Sequence, residues 1–151
     1  MTAVRDDLPA AVAADINGDF KKSLACNDAN NVFMEFLSNV TKDCAAAGAV
    51  MIGHVKANVR SGNEMLAINS TTEDGHVRIR SQFSSDVMEY TMTINVIVYG
   101  VAEKKISEIL DARRSTLGKN KMKIYSDTGC TDPKCSDPSC VDNAHRVIKL
   151  E

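Results

Sequence analysis

A long alternation of apolar and polar residues at positions 87–99 constrains the fold more than any other feature of this sequence. Apolar side chains recur at every second position from Met88 and Tyr90 onward, while Glu89 and Thr91 begin the intervening polar series. Successive side chains of a strand point to opposite faces of the sheet. A period of two over this length therefore predicts a strand with one buried face and one solvated face.

Three segments before this strand, residues 50–59, 64–70 and 76–83, also have the composition of strands, and short polar turns separate them. Because the connections are short, we expect an antiparallel meander over residues 50–99. The side chains expected to be buried in it are Val77, Ile79, Ile94 and Val96. A further short strand is predicted at residues 121–125.

Two segments have the period of amphipathic helices. Residues 32–47 carry one apolar stripe, residues 102–117 carry another, and a glycine follows each segment at Gly48 and Gly118. The predicted fold class is α+β, a mainly antiparallel four- to five-stranded sheet with two main helices packed on one face.

The remaining segments suggest an order of parts along the chain. Pro9 after two aspartates, followed by an alanine-rich run, predicts a helix over residues 10–16 within a helical or partly ordered N-terminal extension, residues 1–31. Residues 32–126 are expected to form the α+β domain. A Cys-rich tail follows over residues 127–149, and residues 150–151 have the appearance of a cloning remnant.

Composition narrows the function classes. The net charge of −2 argues against a dedicated nucleic-acid binder, which is usually basic. No apolar run is long enough to span a bilayer, and the first residues lack a signal-peptide core. We therefore expect a cytoplasmic protein with no membrane partner. In a reducing compartment, the five cysteines are more often metal ligands or reactive thiols than disulfides.

The most specific chemical signal is a five-residue repeat near the end of the chain. Cysteine recurs twice at intervals of five residues, and a histidine stands where the next cysteine would fall. Asp-Pro steps favour turns, and Pro133 and Pro138 exclude a helix interior. The resulting candidate metal ligands are Cys130, Cys135, Cys140 and His145.

Three thiolates and one imidazole would complete a tetrahedral Cys3His shell, which suits Zn(II); Cu(I) or an iron–sulfur cluster also matches the softness of these ligands. The four-residue spacers match no standard zinc-finger pattern, because a second Cys-x2-Cys pair is missing. Two other interpretations stay open at this point, a mobile tail that binds no metal and a redox-active thiol cluster.

A second candidate site lies on the predicted sheet. If strands 50–59 and 76–83 were adjacent, their outward side chains would form a basic patch able to hold an anionic ligand, although such residues are also typical of a solvated face. The candidate residues are His54, Lys56, His76, Arg78 and Arg80.

The runs Met-Ile-Gly-His-Val-Lys-Ala at residues 51–57 and Thr-Ile-Asn-Val-Ile-Val-Tyr-Gly at residues 93–100 resemble the small α+β domain that accompanies archaeal CobW-type GTPases. That resemblance implies a role in metal delivery or cobalamin metabolism, with a metalloenzyme or GTPase partner. GTPase activity is not implied, because this chain has no Gly-x-x-x-x-Gly-Lys-Ser/Thr loop.

Catalysis finds little support in the sequence, which has no nucleophile elbow and no paired carboxylates at an interpretable spacing; Cys130, beside Gly129, is the best candidate nucleophile. The function expected first is therefore a non-enzymatic, zinc-type metal-binding accessory or carrier protein. The alternative is a ligand- or protein-binding α+β module that uses the exposed sheet face and has a flexible tail.

Overall fold

The computed structural model describes residues 8–126 and 146–150, which form seven strands and two main helices. A turn of 3-10 helix, Arg114–Leu117, extends the second helix. In chain order the elements are β1 Pro9–Leu24, α1 Cys26–Ala46, β2 Met51–Ser61, β3 Glu64–Ser70, β4 Arg78–Ser81, β5 Val87–Tyr99, α2 Glu103–Arg113, β6 Lys119–Ser126 and β7 Arg146–Leu150.

All seven strands belong to one antiparallel sheet in the order β4-β3-β2-β5-β1-β6-β7. The predicted α+β class is confirmed, and the sheet is wider than the four to five strands expected. Strands β2, β3 and β4 form the expected meander. Strand β5 does not continue it, because it returns to pair with β2 on the side opposite β3. These four strands therefore form a Greek key.

The predicted helix over residues 10–16 was wrong, because this segment lies within β1. Strand β1 occupies an inner position between β5 and β6, and Val12, Ala14 and Ile16 point into the core. Pairing on both sides outweighs the modest helix propensity of its alanines. Residues expected to form an extension thus contribute a central strand of the sheet.

Both helices pack on one face of the sheet, as predicted. Helix α1 contacts β2, β3 and β5, while α2 contacts β1 and β6, and the two helices touch each other. Helix α1 begins at Cys26, earlier than expected, and its stripe through Phe33, Phe36 and Leu37 is buried. The opposite face of the sheet carries no helix among the described residues, and we call it the open face.

Strand β4 is shorter and more exposed than predicted. Ile94 and Val96 are buried as expected, and Val77 packs partly against the core, but Ile79 is 44% exposed. The cause is position, because among the described strands β4 pairs only with β3 and lies at the edge of the sheet. Met88, on the apolar side of the β5 pattern, is likewise half exposed near the start of its strand.

Candidate binding face

The open face presents a regular array of polar side chains because the register aligns residues across the strands. One row runs from Lys56 of β2 through Asn95 of β5 to Ala13 of β1. Two residues further along β2, Asn58 aligns with Thr93, and Thr93 aligns with Asp15. The sheet therefore offers hydroxyl, amide and charged groups on a rigid scaffold.

A further row, which we call the Arg60 row, lies close to one end of the sheet. It crosses four strands, β2, β5, β1 and β6, in that order. Its members are Arg60, Thr91, Asn17 and Lys121. All four are exposed on the open face. An open cleft of about 580 Å³ is lined by these residues and their neighbours.

Strand β6 adds a line of lysines to the same face. Lys119 aligns with Asp19 and Lys123 with Asp15, so these two lysines have carboxylates as cross-strand neighbours, whereas Lys121 aligns with Asn17. Asp15 also accepts a hydrogen bond of 3.1 Å from the Thr93 hydroxyl. Carboxylates thus stand opposite Lys119 and Lys123, whereas Lys121 has no carboxylate directly opposite it.

Removal from solvent and the nearby charge of Asp15 raise the pKa of Tyr125, which lies on β6 beyond Lys123. A hydrogen bond between the Tyr125 hydroxyl and the Asp15 carboxylate contributes to the raised pKa, so this donor is directed to Asp15.

The structure brings two members of the predicted basic patch, Lys56 and Arg78, into one row but not onto adjacent strands. Strand β3 lies between β2 and β4, so Lys56 and Arg78 are separated by Asn69 in the same row. Arg80 falls at the register irregularity of β4, between Ile79 and Ser81. The condition of adjacent strands is therefore not met, and the patch as a binding site stays a prediction.

The two histidines of that prediction also lie apart. His54 is half-buried on β2, beside a register irregularity where a Cβ at Gly53 would meet the Ile97 carbonyl oxygen at 2.8 Å. His76 is exposed in the turn before β4, and its backbone N–H donates to Asp74. The two histidines sit in different local settings.

The predicted metal ligands lie outside the described residues, as do all positions of residues 127–145. The strands on either side of this segment are described, and Ser126 of β6 pairs with Arg146 of β7. Within the described part of the chain, no group of three or more His, Cys, Asp or Glu side chains is arranged to hold a metal ion. The ligand set Cys130, Cys135, Cys140 and His145 therefore stays a prediction.

The two remaining cysteines lie on α1. Cys44 is fully buried, and burial together with the neighbouring Asp43 raises the pKa of its thiol to about 12. A buried thiol with a raised pKa stays protonated at neutral pH and is a poor nucleophile. Cys26, at the first position of the helix, is partly exposed.

Sequence reasoning missed the Arg60 row for an identifiable reason. Each of its residues stands at a polar position of a pattern in which apolar and polar residues alternate. For Thr91 and Lys121, this alternation was visible in the sequence. Asn17 was placed in a predicted helix, and without β1 the strands β5 and β6 have no common neighbour. The alternation of Val12, Ala14 and Ile16 with polar or small residues was the available signal.

Comparison with known proteins returned no matching family model, no matching curated protein and no matching solved structure. The described helices include none that is both long and apolar enough to cross a membrane. The fold thus defines this chain as an α+β protein whose described residues form a seven-stranded antiparallel sheet with helices on one face and a polar open face.

Proposed function

We propose that this protein is a non-enzymatic metal-binding protein of the accessory or carrier type, with a zinc-type site in the segment between β6 and β7. The observation that carries the proposal is the pairing of Ser126 with Arg146, the two residues that flank this segment. The proposed ligands are Cys130, Cys135, Cys140 and His145.

The pairing supports the site because it keeps the two ends of the segment together. Cα atoms of directly opposed residues in an antiparallel pair lie about 4.5–5.5 Å apart. Cys130 follows Ser126 by four residues, and His145 precedes Arg146 directly. Since each residue extends the chain by at most about 3.6 Å, Cys130 can lie no more than about 14 Å from Ser126, and His145 no more than about 4 Å from Arg146, so the first and last ligands are within reach of a common ion.

Loop closure gives this arrangement an energetic consequence. A metal ion that gathers ligands from a free chain end must offset the entropy of bringing them together, and this cost grows with the logarithm of the loop length. Pairing of β6 with β7 already holds the two ends of the segment together, so part of this entropy is lost before the metal binds. Metal binding and β7 pairing should therefore stabilise each other.

Cobalt substitution tests the site directly. Under reducing conditions, one equivalent of Co(II) should produce thiolate charge-transfer bands and tetrahedral d–d bands, and Zn(II) should displace them. Replacing Cys130, Cys135 and Cys140 together by serine should abolish the bands without unfolding the protein. Cys26→Ser, a cysteine change on α1, serves as the matched control and should leave the bands intact. A wild-type protein without these bands would contradict the proposal.

The coupling between metal and sheet gives a prediction that depends on the described strands. Zn(II) should slow amide hydrogen exchange in β6 and β7, because the closed loop favours their pairing, and should leave α1 exchange unchanged. Binding should weaken as the pH falls, since the ligands must lose protons. Identical exchange of β6 and β7 with and without Zn(II) would show that metal does not act through this ladder.

A carrier needs a recipient, and the resemblance to the accessory domain of CobW-type GTPases supports a metalloenzyme or GTPase in that role. The thiol ligands support a reducing, cytoplasmic setting, where cysteines persist as reduced thiols that can lose a proton to bind a metal. The corresponding measurement is the rate of Zn(II) transfer to a candidate apo-metalloenzyme. Transfer from the loaded protein should be faster than transfer from a small chelator of equal affinity.

The open face supports a second candidate function, a ligand- or protein-binding module. The favouring observation is a polar array that crosses four neighbouring strands and borders an open cleft. Rigid sheet residues hold binding groups more accurately than loops do. Ligand-induced amide shifts confined to the helix-covered face would contradict this candidate.

A further inference from the structure

The cleft beside the Arg60 row combines size with unpaired polar groups. Its volume of about 580 Å³ falls in the range typical of small-molecule sites. Its lining comes from residues 17–19 of β1, 89–91 of β5, 119–121 of β6 and 60–62 at the β2–β3 turn. Ser61 secures that turn by donating a hydrogen bond of 2.7 Å to the Glu89 carbonyl oxygen. The cleft is therefore built on rigid elements.

The charges along the Arg60 row are not neutralised within the row. Arg60 and Lys121 stand at its two ends, with the uncharged Thr91 and Asn17 between them. Ion pairs in the described part of the chain involve neither of the two cations. By contrast, Lys119 in the neighbouring row has Asp19 directly opposite.

The spacing of the row suits a bound anion. Arg60 and Lys121 lie three strand spacings apart, which is about 14 Å between backbones. Both side chains are long enough to lean inward over Thr91 and Asn17, whose hydroxyl and amide groups can donate hydrogen bonds from below. Guanidinium and ammonium groups that converge in this way form charge-assisted hydrogen bonds to oxyanions.

We propose that this cleft binds a small molecule through an oxyanion, a phosphate or carboxylate held between Arg60 and Lys121 above Thr91 and Asn17. The inference rests on the second candidate function, in which the open face binds a ligand, and it specifies the place and the chemical class.

The next row sets the polarity of the rest of the ligand. Asp19 and Glu89 are cross-strand neighbours that also line the cleft. Their carboxylates repel a second anionic group and accept hydrogen bonds from hydroxyl or amino groups. The preferred ligand therefore carries one oxyanion at one end and hydroxyl or amino donors at the other.

The test is amide chemical-shift mapping on the full chain with defined probes. These are inorganic phosphate, glycerol 3-phosphate, succinate and, as the uncharged control, glycerol. Saturable shifts should centre on Asn17 and Thr91, and glycerol 3-phosphate should bind more tightly than inorganic phosphate because it adds hydroxyl donors. The relative affinities of phosphate and succinate decide which oxyanion the cleft prefers.

Matched substitutions separate the cleft from general surface charge. Arg60→Ala and Lys121→Ala should each weaken glycerol 3-phosphate binding about tenfold, the scale of one charged hydrogen bond. Arg78→Ala and Lys123→Ala change the same residue types on the same sheet outside the cleft lining, and should alter affinity less than about twofold. All four side chains are exposed, so the variants should fold.

Two results would overturn the proposal. The absence of saturable shifts with any charged probe would remove the cleft as an oxyanion site. The other result is chemical shifts centred on the row that contains Lys56 and Asn95, together with an equal loss of affinity for Arg78→Ala and Arg60→Ala. That result would place the ligand elsewhere on the open face. The second result would leave a ligand-binding open face standing while the cleft assignment fails.

Discussion

Asn30 joins helix α1 to the connection between β4 and β5 through both functions of its side-chain amide. Its Nδ2 donates to the Phe83 carbonyl oxygen at 3.1 Å, and its Oδ1 accepts from the Phe83 N–H at 3.0 Å. Both residues are buried, so neither backbone group has water as an alternative partner. One side chain thus fixes the segment that carries the chain to β5.

Asn30→Ala should lower the free energy of unfolding by roughly 2–4 kcal/mol, because it leaves a buried donor and a buried acceptor unpaired. Urea denaturation measures the change. Asn31→Ala, at the exposed neighbouring position, is the control and should stay within about 0.5 kcal/mol of wild type. Equal midpoints for the two variants would show that the amide does not anchor this connection.

Glu64 has a comparable role at the surface. One of its carboxylate oxygens accepts hydrogen bonds from the Ser84 and Ser85 backbone N–H groups and from the Ser84 hydroxyl. Hydrogen bonds from Ser85 and Ser84 hold the pKa of Glu64 below its usual value. The carboxylate therefore holds residues 84–85 against the start of β3.

Glu64→Gln should change the dependence of stability on acid. Because the folded-state pKa is depressed, the carboxylate stabilises the fold above its unfolded pKa of about 4.3, and this contribution is lost as the pH falls through the folded value. The difference in unfolding midpoint between wild type and variant should thus be largest near neutral pH and shrink below about pH 4. A constant difference across this range would contradict the assignment.

Among the elements, the helices attach to the sheet and to each other by two different kinds of contact. Arg113 of α2 binds Asp43 of α1 at 2.6 and 2.9 Å, and both side chains remain about one-third exposed. Leu110 of α2 is fully buried in the core. Solvent screens the first contact, whereas burial of apolar surface drives the second.

Leu110→Ala should therefore cost about 2–5 kcal/mol, and Arg113→Ala about 1 kcal/mol or less. Thermal or urea unfolding of the two variants gives the comparison. High salt should narrow the gap between wild type and Arg113→Ala, because it screens the ion pair. A larger loss for Arg113→Ala would mean that the ion pair, and not the apolar surface, holds α2 in place.

Edge strand β4 illustrates how an element can be protected from unwanted pairing. It has four residues, carries Arg78 and Arg80, and pairs with β3 through an irregular register. Short length, positive charge and irregular register all discourage the addition of another strand. This accounts for the exposure of Ile79 without assigning it a binding partner.

For the whole molecule, the position of β1 decides how the sheet is assembled. The first strand of the described residues, β1, is an inner strand of the sheet, and β5 and β6 pair with it on opposite sides. Deleting residues 1–24 should therefore abolish cooperative unfolding, since β5 and β6 would lose their common neighbour. Near-UV circular dichroism during thermal unfolding reports the result.

A chain that ends at residue 126 provides the contrast. It loses β7, which pairs with β6 alone at the edge of the sheet, and should still unfold cooperatively. If the chain without residues 1–24 remained cooperative while the chain ending at residue 126 did not, the assignment of inner and edge strands would be wrong.

The sequence by itself determined the elements whose pattern is local. The alternation in β5 and the apolar stripe of α1 each report which face of one element is buried, because side-chain direction follows from backbone geometry alone. The short turns between β2, β3 and β4 likewise limited the possible pairings, and the Cys and His spacing near the end of the chain defined a candidate ligand set.

Only the tertiary structure decided the strand order, and with it the candidate site on the open face. β1 is a strand because β5 and β6 flank it, although its alanines favour a helix in isolation. Lys56 and Arg78 are two strand spacings apart because β3 lies between β2 and β4, while Arg60 and Lys121 line one cleft because pairing of four strands places them in the same row. Such neighbourhoods depend on pairing between distant segments, which no local pattern encodes.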